Sequence, residues 1–251
     1  MSAEPNQLEI TRSVRCDAPV RSGVDDPLML LPENRPPRIG ERAPSFEAKS
    51  TQGRIRFPDN FRGRWVVFFS HAADFTPVCT TEFMMFASLQ PEFKRLNCQL
   101  LGLSADSTDR HIAWLRAIEE RIAYRNLKSV TVDFPVISDA DSRVARTYGI
   151  YRPGAESAVR AVFIIDPAGI VRAMLQYPAT NGRNVPEIRR LLLALQLSDR
   201  HQVATPANWQ PGEDVIVPAA DRCRAKPQTF ENPFEDVQYV DWLVPLTQCP
   251  E

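Results

Sequence analysis

The 251-residue sequence contains no run of 18 or more apolar residues, which removes a membrane-spanning helix from consideration. It has no Cys-x-x-Cys pair. None of its five cysteines, at positions 16, 79, 98, 223 and 249, lies near a histidine at zinc-ligand spacing, so neither a vicinal-dithiol motif nor a zinc module is expected. Net charge is also missing: 30 Lys and Arg against 31 Asp and Glu leave −1, and no electrostatic reason to expect a nucleic-acid or membrane partner. The opening "MSAEPNQLEITRSVRCDAPVRSG" carries acids and prolines without an apolar h-region. A secretory signal is therefore not expected, and the odd cysteine count fits free thiols in a cytoplasmic protein. Internal repeats and low-complexity segments are lacking as well.

What is present is enough apolar sequence, 43%, to bury a substantial core. Residues 1–36 are proline-bearing and without periodicity and read as an N-terminal extension. From "RIGERAPSFEAKSTQGRIRF" onward the character changes, and strand-like runs alternate with helical ones. "WVVFFS" (65–70) is a continuous strand run. Thr80–Leu96 carries Phe83, Phe86, Leu89, Phe93 and Leu96 at helical spacing. Gln99–Ser104 reads as strand, Thr108–Ile122 as helix and Phe134–Ile137 as strand. "SRVARTYG" reads as a short helix with a glycine cap, "AVFIIDPAGIVRAMLQY" as a hairpin turning at Asp166–Gly169, and Pro186–Leu197 as a helix. The pattern is α/β, with a core domain over 37–200. The segment 201–251 is irregular but carries Trp209, Phe230, Phe234, Tyr239 and Trp242, which reads as an arm packed on its own body or on a partner subunit.

The chemistry concentrates in "HAADFTPVCTTEF" (71–83). Proline is favoured in a first helical turn, where its missing N–H would be unpaired anyway. A helix starting near Pro77 puts Cys79 in that turn, among free N–H groups at the positive end of the dipole. Such an end supplies about 0.3–2 kcal/mol, which lowers a thiol by around one pKa unit. Full ionisation at neutral pH also needs a cation, and none is local: Glu82 is an acid and His71 is distant. Arg146, Arg152, Arg160, Arg172 and Arg183, flanking other strands, are the candidates. Thiolate formation alone gains little, so donors aimed at the developing charge are also required. Thr76 can supply a hydroxyl there, cap the helix, or do both.

"DFTPVCTTEF" resembles the Pro-x-x-x-Thr-x-x-Cys signature of peroxiredoxins, with Thr76 and Cys79 in the threonine and cysteine places and alanine (Ala72 or Ala73) where the first proline is expected. "IGERAPSFEA", "LGLSADSTDRHIAW", "FPVISDADSRVARTYG" and "QYPATNGRNVPEIRRLLLALQL" resemble further peroxiredoxin segments in the same order, over roughly residues 37–245. "SHAADFTPVCTTEF", "YPATNGRN" and "VATPANW" are most similar to the one-cysteine subfamily. The resemblance implies a thioredoxin-like fold, a central mixed sheet flanked by helices with a smaller irregular C-terminal arm. It implies a thiol-dependent peroxidase, acting in antioxidant defence, in which the Cys79 thiolate reduces hydrogen peroxide or an organic hydroperoxide and becomes a sulfenic acid. Thr76 would bond the peroxide, Arg160 in "VRAVFII" would hold thiolate and leaving oxygen, and Glu82 would orient Arg160. Arg183 in "NGRN" matches a second active-site arginine, and His71 a histidine near the thiol or merely a loop residue. No metal and no cofactor are called for.

Where two-cysteine members carry a resolving cysteine, "VATPANW" has Thr205 beside Pro206, and "QYVDWLVPL" lacks the cysteine pair of an archaeal-type branch. An external thiol such as thioredoxin or glutathione is therefore the expected reductant, with Cys223 and Cys249 as irregular internal alternatives. Cys98 reads as a small buried hydrophobe, and Cys16, His111 and His201 are given no role. "FRGRWVVFF" lacks the serine of a lipase-like element that some one-cysteine members carry. The resemblance also implies a homodimer or larger ring, with 201–251 as a dimerisation arm. The competing reading is a peroxide sensor or redox-regulated holdase on the same scaffold. A thiol–disulfide oxidoreductase would need a second vicinal thiol, and a cysteine protease a plausible histidine partner.

Overall fold

The computed structural model describes residues 35–151 and 159–217, together with the backbone of Gln238–Asp241 and Val244–Thr247. The readings of residues 1–34, Arg152, Cys223, Cys249, Phe230, Phe234 and Trp242 lie outside the described residues.

Seven strands form one mixed sheet: β1 (Phe46–Ser50), β2 (Gly53–Phe57), β3 (Trp65–Ser70), β4 (Cys98–Ser104), β7 (Val136–Ser138), β8 (Arg160–Ile165) and β9 (Val171–Tyr177). Their order across the sheet is β2-β1-β7-β4-β3-β8-β9. β3 runs parallel to β4 and antiparallel to β8, with Phe68 opposite Leu101 on one side and Phe163 on the other. A core on each face explains why "WVVFF" is apolar throughout before the strand ends on Ser70: every one of its residues is buried. The side chains still alternate. Trp65, Val67 and Phe69 enter one core with Phe83, Phe86, Trp114, Ile188 and Leu192. Val66 and Phe68 enter a second with Phe57, Val144, Tyr148 and Phe163.

The first core is closed by three helices, α1 (Pro77–Arg95), α2 (Thr108–Arg121) and α4 (Val185–His201). The short α3 (Arg143–Thr147) contributes to the second. Each long helix starts as its sequence dictates. The Ser107 hydroxyl accepts from Arg110 N, the Asn184 side chain accepts from Glu187 N, and α1 opens on Pro77. Gly149, just after α3, has φ +66°, and a Cβ built there would lie 2.3 Å from Pro36 Cγ, so both conformation and space exclude a side chain.

The elements read from sequence are all present within a few residues of their expected limits. The hairpin β1–β2 comes in addition, and so does a two-stranded ribbon of β5 (Ala123–Tyr124) and β6 (Leu127–Lys128). Beyond α4 the chain is less irregular than its composition suggests. Val203, Trp209 and Val215 are buried with Ala194 of α4, and Arg190 Nη1 donates to the Trp209 carbonyl. β10 (Val215–Ile216) pairs with β12 (Val244–Thr247), which pairs with β11 (Gln238–Asp241).

Candidate active site

β3 ends at Ser70, and the chain then turns over a short loop into α1. Ser70 ties this turn to the neighbouring strand. Its hydroxyl donates to the Val159 carbonyl at 2.7 Å and accepts from Ala161 N at 3.0 Å, fixing the start of β8 beside the end of β3. Arg160, the first residue of β8, is thereby aimed at the first turn of α1.

Cys79 occupies that turn and is fully buried. Arg160 Nη1 donates to Cys79 Sγ at 3.1 Å and to Glu82 Oε2 at 2.8 Å. The guanidinium is held on its other edge by the Ala179 carbonyl, which accepts from Nε at 2.9 Å and Nη2 at 2.7 Å. Among the described cation candidates, then, Arg160 is the one placed on the sulfur. Arg172 instead pairs with Asp199 and lies over Trp65, and Arg146 lies over Tyr151.

Arg183 is buried too, but it meets Glu82 rather than the thiol. Its Nε donates to Glu82 Oε1 at 2.8 Å and its Nη2 to Oε2 at 2.7 Å. Nη1 donates to the carbonyls of Ser70 and Ala161. The ring faces of Phe69 and Phe86 lie beneath the guanidinium at 5.2 and 5.6 Å. The carboxylate of Glu82, only 2% exposed, thus joins two arginines. Two guanidiniums and one carboxylate leave a positive charge unmatched among the described residues in a buried place. A thiolate at Cys79 matches it, whereas a neutral thiol does not.

Thr76 stands at the N-cap position of α1 in an extended conformation, yet its side chain does not cap the helix. The hydroxyl donates instead to the Ala73 carbonyl at 2.8 Å. That commits the hydrogen and leaves the oxygen lone pairs as acceptors. The bond uses a main-chain carbonyl, so the alanine found where a proline is expected can serve it.

His71 is buried and far from a free loop residue. Its Nε2 is 2.9 Å from Asp74 Oδ1, and its ring stacks on Trp114 and meets Phe83 edge-on. The other Asp74 oxygen is 2.7 Å from His111 Nδ1. The sequence alone gives no role to His111 and does not single out Asp74. The His71-x-x-Asp74 spacing is the one available signal, and His111 lies 37 residues beyond Asp74 on a different element. His71, Asp74 and His111 are also the candidate metal-binding cluster among the described residues. Their ligand atoms already contact one another at hydrogen-bond distances, so the arrangement is that of a bonded chain.

No helix of the described residues is long and apolar enough to cross a membrane. Residues 39–174 match the AhpC/TSA family, and residues 194–230 match the C-terminal domain of 1-Cys peroxiredoxin. A peroxiredoxin of Methanosarcina mazei is 52% identical over 212 residues, covering 84% of this chain and 97% of the relative. A peroxiredoxin of Aquifex aeolicus is 46% identical, covering 83% and 95%. Among solved structures, a yeast mitochondrial 1-Cys peroxiredoxin described with glutathione and thioredoxin systems is 39% identical with a TM-score of 0.72, covering 84% of this chain and 99% of that one. Peroxiredoxin 6 of Arenicola marina is 33% identical with a TM-score of 0.71, covering 85% and 99%. With the thiol, its buried charges and these relatives together, the chain belongs to the peroxiredoxin family, carries the C-terminal domain of its 1-Cys members, and is a thiol-dependent peroxidase.

Proposed function

We propose that Cys79 is the peroxidatic residue and that Thr76, Arg160 and Glu82 complete the catalytic group. The observation that carries this reading is the 3.1 Å contact between Arg160 Nη1 and Cys79 Sγ inside a cluster whose charges balance only with a thiolate. The thiolate attacks one peroxide oxygen and the O–O bond breaks. Cys79 becomes a sulfenic acid, and the departing oxygen takes a proton to leave as water or alcohol. Thr76 Oγ1, its hydrogen committed to Ala73, accepts from the peroxide O–H and orients it. Arg160 donates to the developing charge on sulfur and oxygen, and Glu82, braced by Arg183, holds Arg160 in place.

The sulfenic acid is then resolved by an external thiol. A first thiol displaces water to form a mixed disulfide, and a second restores Cys79. Among the described residues the other cysteine is Cys98, which is buried and pairs in register with Trp65. Cys79 lies past the opposite end of that strand, whose length is roughly 17 Å at about 3.3 Å per residue. That distance is incompatible with a disulfide. Thioredoxin or glutathione fits as reductant, since the yeast mitochondrial relative is described with both systems. A homodimer, with the segment after residue 200 as its arm, and a cytoplasmic location complete the reading.

The test is rapid mixing of hydrogen peroxide with wild type and Cys79→Ser, with and without dithiothreitol, then with thioredoxin or glutathione systems. One equivalent consumed quickly without reductant, sustained turnover with it, and neither in Cys79→Ser is the expected result. Peroxide consumption that survives the substitution rejects Cys79. Oxidation that stops after one turnover with every reductant favours a sensor over a catalyst.

A further inference from the structure

The chain His71–Asp74–His111 lies outside the charge cluster around Cys79, yet it is built as tightly. All three residues are at most 1% exposed. His111 Nε2 is 3.2 Å from the Ile137 carbonyl, and His111 Nδ1 is 2.7 Å from Asp74 Oδ2. A carbonyl only accepts, so Nε2 carries a hydrogen. The Nδ1 contact is then either an N–H donating to a carboxylate or a protonated Asp74 donating to a bare nitrogen. Burial raises the Asp74 carboxyl, but bonds from His111 and His71 outweigh it and hold it below the usual carboxylate range. Asp74 is the carboxylate, and His71 Nε2 donates to it. His71 then carries its hydrogen on Nε2, while its buried Nδ1 has no partner among the described residues.

The chain is coupled to the loop that delivers the catalytic residues. Asp74 N donates to Asp106 Oδ2 at 2.7 Å, so the residue is pinned through both backbone and side chain. Next to it, Phe75 sits at φ +61°, which is costly for a bulky residue and persists only where its surroundings impose it. Thr76 follows at once. Trp114, stacked on His71, donates to Thr80 Oγ1 in the first turn of α1.

We propose that His111 is a positioning residue of the peroxidase site. Bridging the Ile137 carbonyl and Asp74, it fixes the Asp74 carboxyl in place. Asp74 in turn locks His71 as the Nε2–H tautomer and holds the strained 71–76 loop in the shape that presents Thr76 and Cys79. This rests on Cys79 and Thr76 acting as proposed above. Replacing His111 leaves the reacting groups intact but loosens their placement, for which a loss of about 10–100-fold in the peroxide rate constant is expected.

The test combines ring-nitrogen NMR of the full chain at neutral pH with stopped-flow peroxide reduction. In wild type, His71 should show a hydrogen on Nε2 and a bare Nδ1, a result that requires no variant. His111→Gln should turn His71 into a tautomer mixture and slow the peroxide reaction, and Asp74→Asn should do the same. A wild-type His71 with its hydrogen on Nδ1 overturns the proposal. So does His111→Gln with an unchanged His71 tautomer and an unchanged rate constant. Failure of the underlying site reading has a different signature, continued peroxide consumption by Cys79→Ser, which leaves the NMR result standing by itself.

Discussion

Arg160 approaches the sulfur of Cys79 to 3.1 Å from a position 81 residues away in sequence. The separation is bridged by backbone geometry: β3 and β8 are antiparallel neighbours, and Ser70 clamps the end of one to the start of the other. The same Nη1 reaches Glu82, so a single nitrogen links the nucleophile to the acid that orients its partner. Because the Ala179 carbonyl takes the other edge of the guanidinium, the fork has little freedom to turn away.

Arg160→Lys therefore removes more than it conserves. A lysine carries the charge but cannot reach thiol, carboxylate and carbonyl with one planar group. The second-order rate constant for hydrogen peroxide should fall by about 10²–10³, comparable to losing a preorganised donor. The fold should survive, since Glu82 keeps Arg183. Stopped-flow kinetics on the reduced enzyme measures it, and a loss under tenfold would contradict a role for the fork.

Glu82→Gln attacks stability first. It leaves the guanidiniums of Arg160 and Arg183 buried without their shared counter-charge. Breaking a buried pair from one side costs about 3–5 kcal/mol, read as a large drop in the urea midpoint. A drop within 1 kcal/mol would mean that water or other groups already compensate those charges.

These charges mark the limit of what the sequence of this chain reveals. β3 and α1 are legible because a buried central strand is apolar throughout and a helix shows its 3.6-residue period, with Pro77 marking the start. The β1–β2 hairpin is not, since each strand is only five residues long and the alternation of Arg54 and Arg56 with Ile55 and Phe57 covers too few positions to stand out. Choosing Arg160 among five arginines takes a family resemblance, because a pairing across 81 positions leaves no local trace. Arg183 is expected from the sequence as an active-site arginine, but its work on Glu82 emerges only from three-dimensional placement. Thr76 has two roles open to it in sequence, and its hydroxyl turns to Ala73 in place of capping. His111 is invisible for the same reason as Arg160: its partner Asp74 lies on another element.

Cys98 gives a contrasting prediction about thiol chemistry. Burial pushes its thiol well above the ordinary range, and its side chain sits in the first core beside Trp65. Native protein should show no alkylation at the Cys98 peptide by mass spectrometry, with full labelling after denaturation. Cys98→Ser should leave peroxidase activity intact while costing about 1–3 kcal/mol, from burying a hydroxyl where a small hydrophobe belongs. Rapid native labelling at Cys98 would contradict the packing.

His71 and Asp74 contribute to the pH dependence of stability with signs fixed by the direction of each shift. Burial lowers His71 below its ordinary value near 6.5. The Asp74 contacts pull the other way, and the charges of His111 and Arg183 add to the lowering. On acidification the unfolded chain takes up this proton first, so stability is full above about pH 6.5 and declines below it, by up to about 1.4 kcal/mol per pH unit. Asp74 acts lower. Its folded value lies under the ordinary 3.8, so its contribution is present above that pH and is lost as pH falls through the folded value. Asp139 opposes both, because burial raises its carboxyl and the folded state binds that proton first. Denaturant titrations between pH 8 and about 5 should therefore show a His71 limb on which Asp139 acts with the opposite sign. In His71→Gln, which cannot titrate, that limb should flatten while the loss below pH 4 remains. An unchanged limb in the variant would place its origin in a group other than His71.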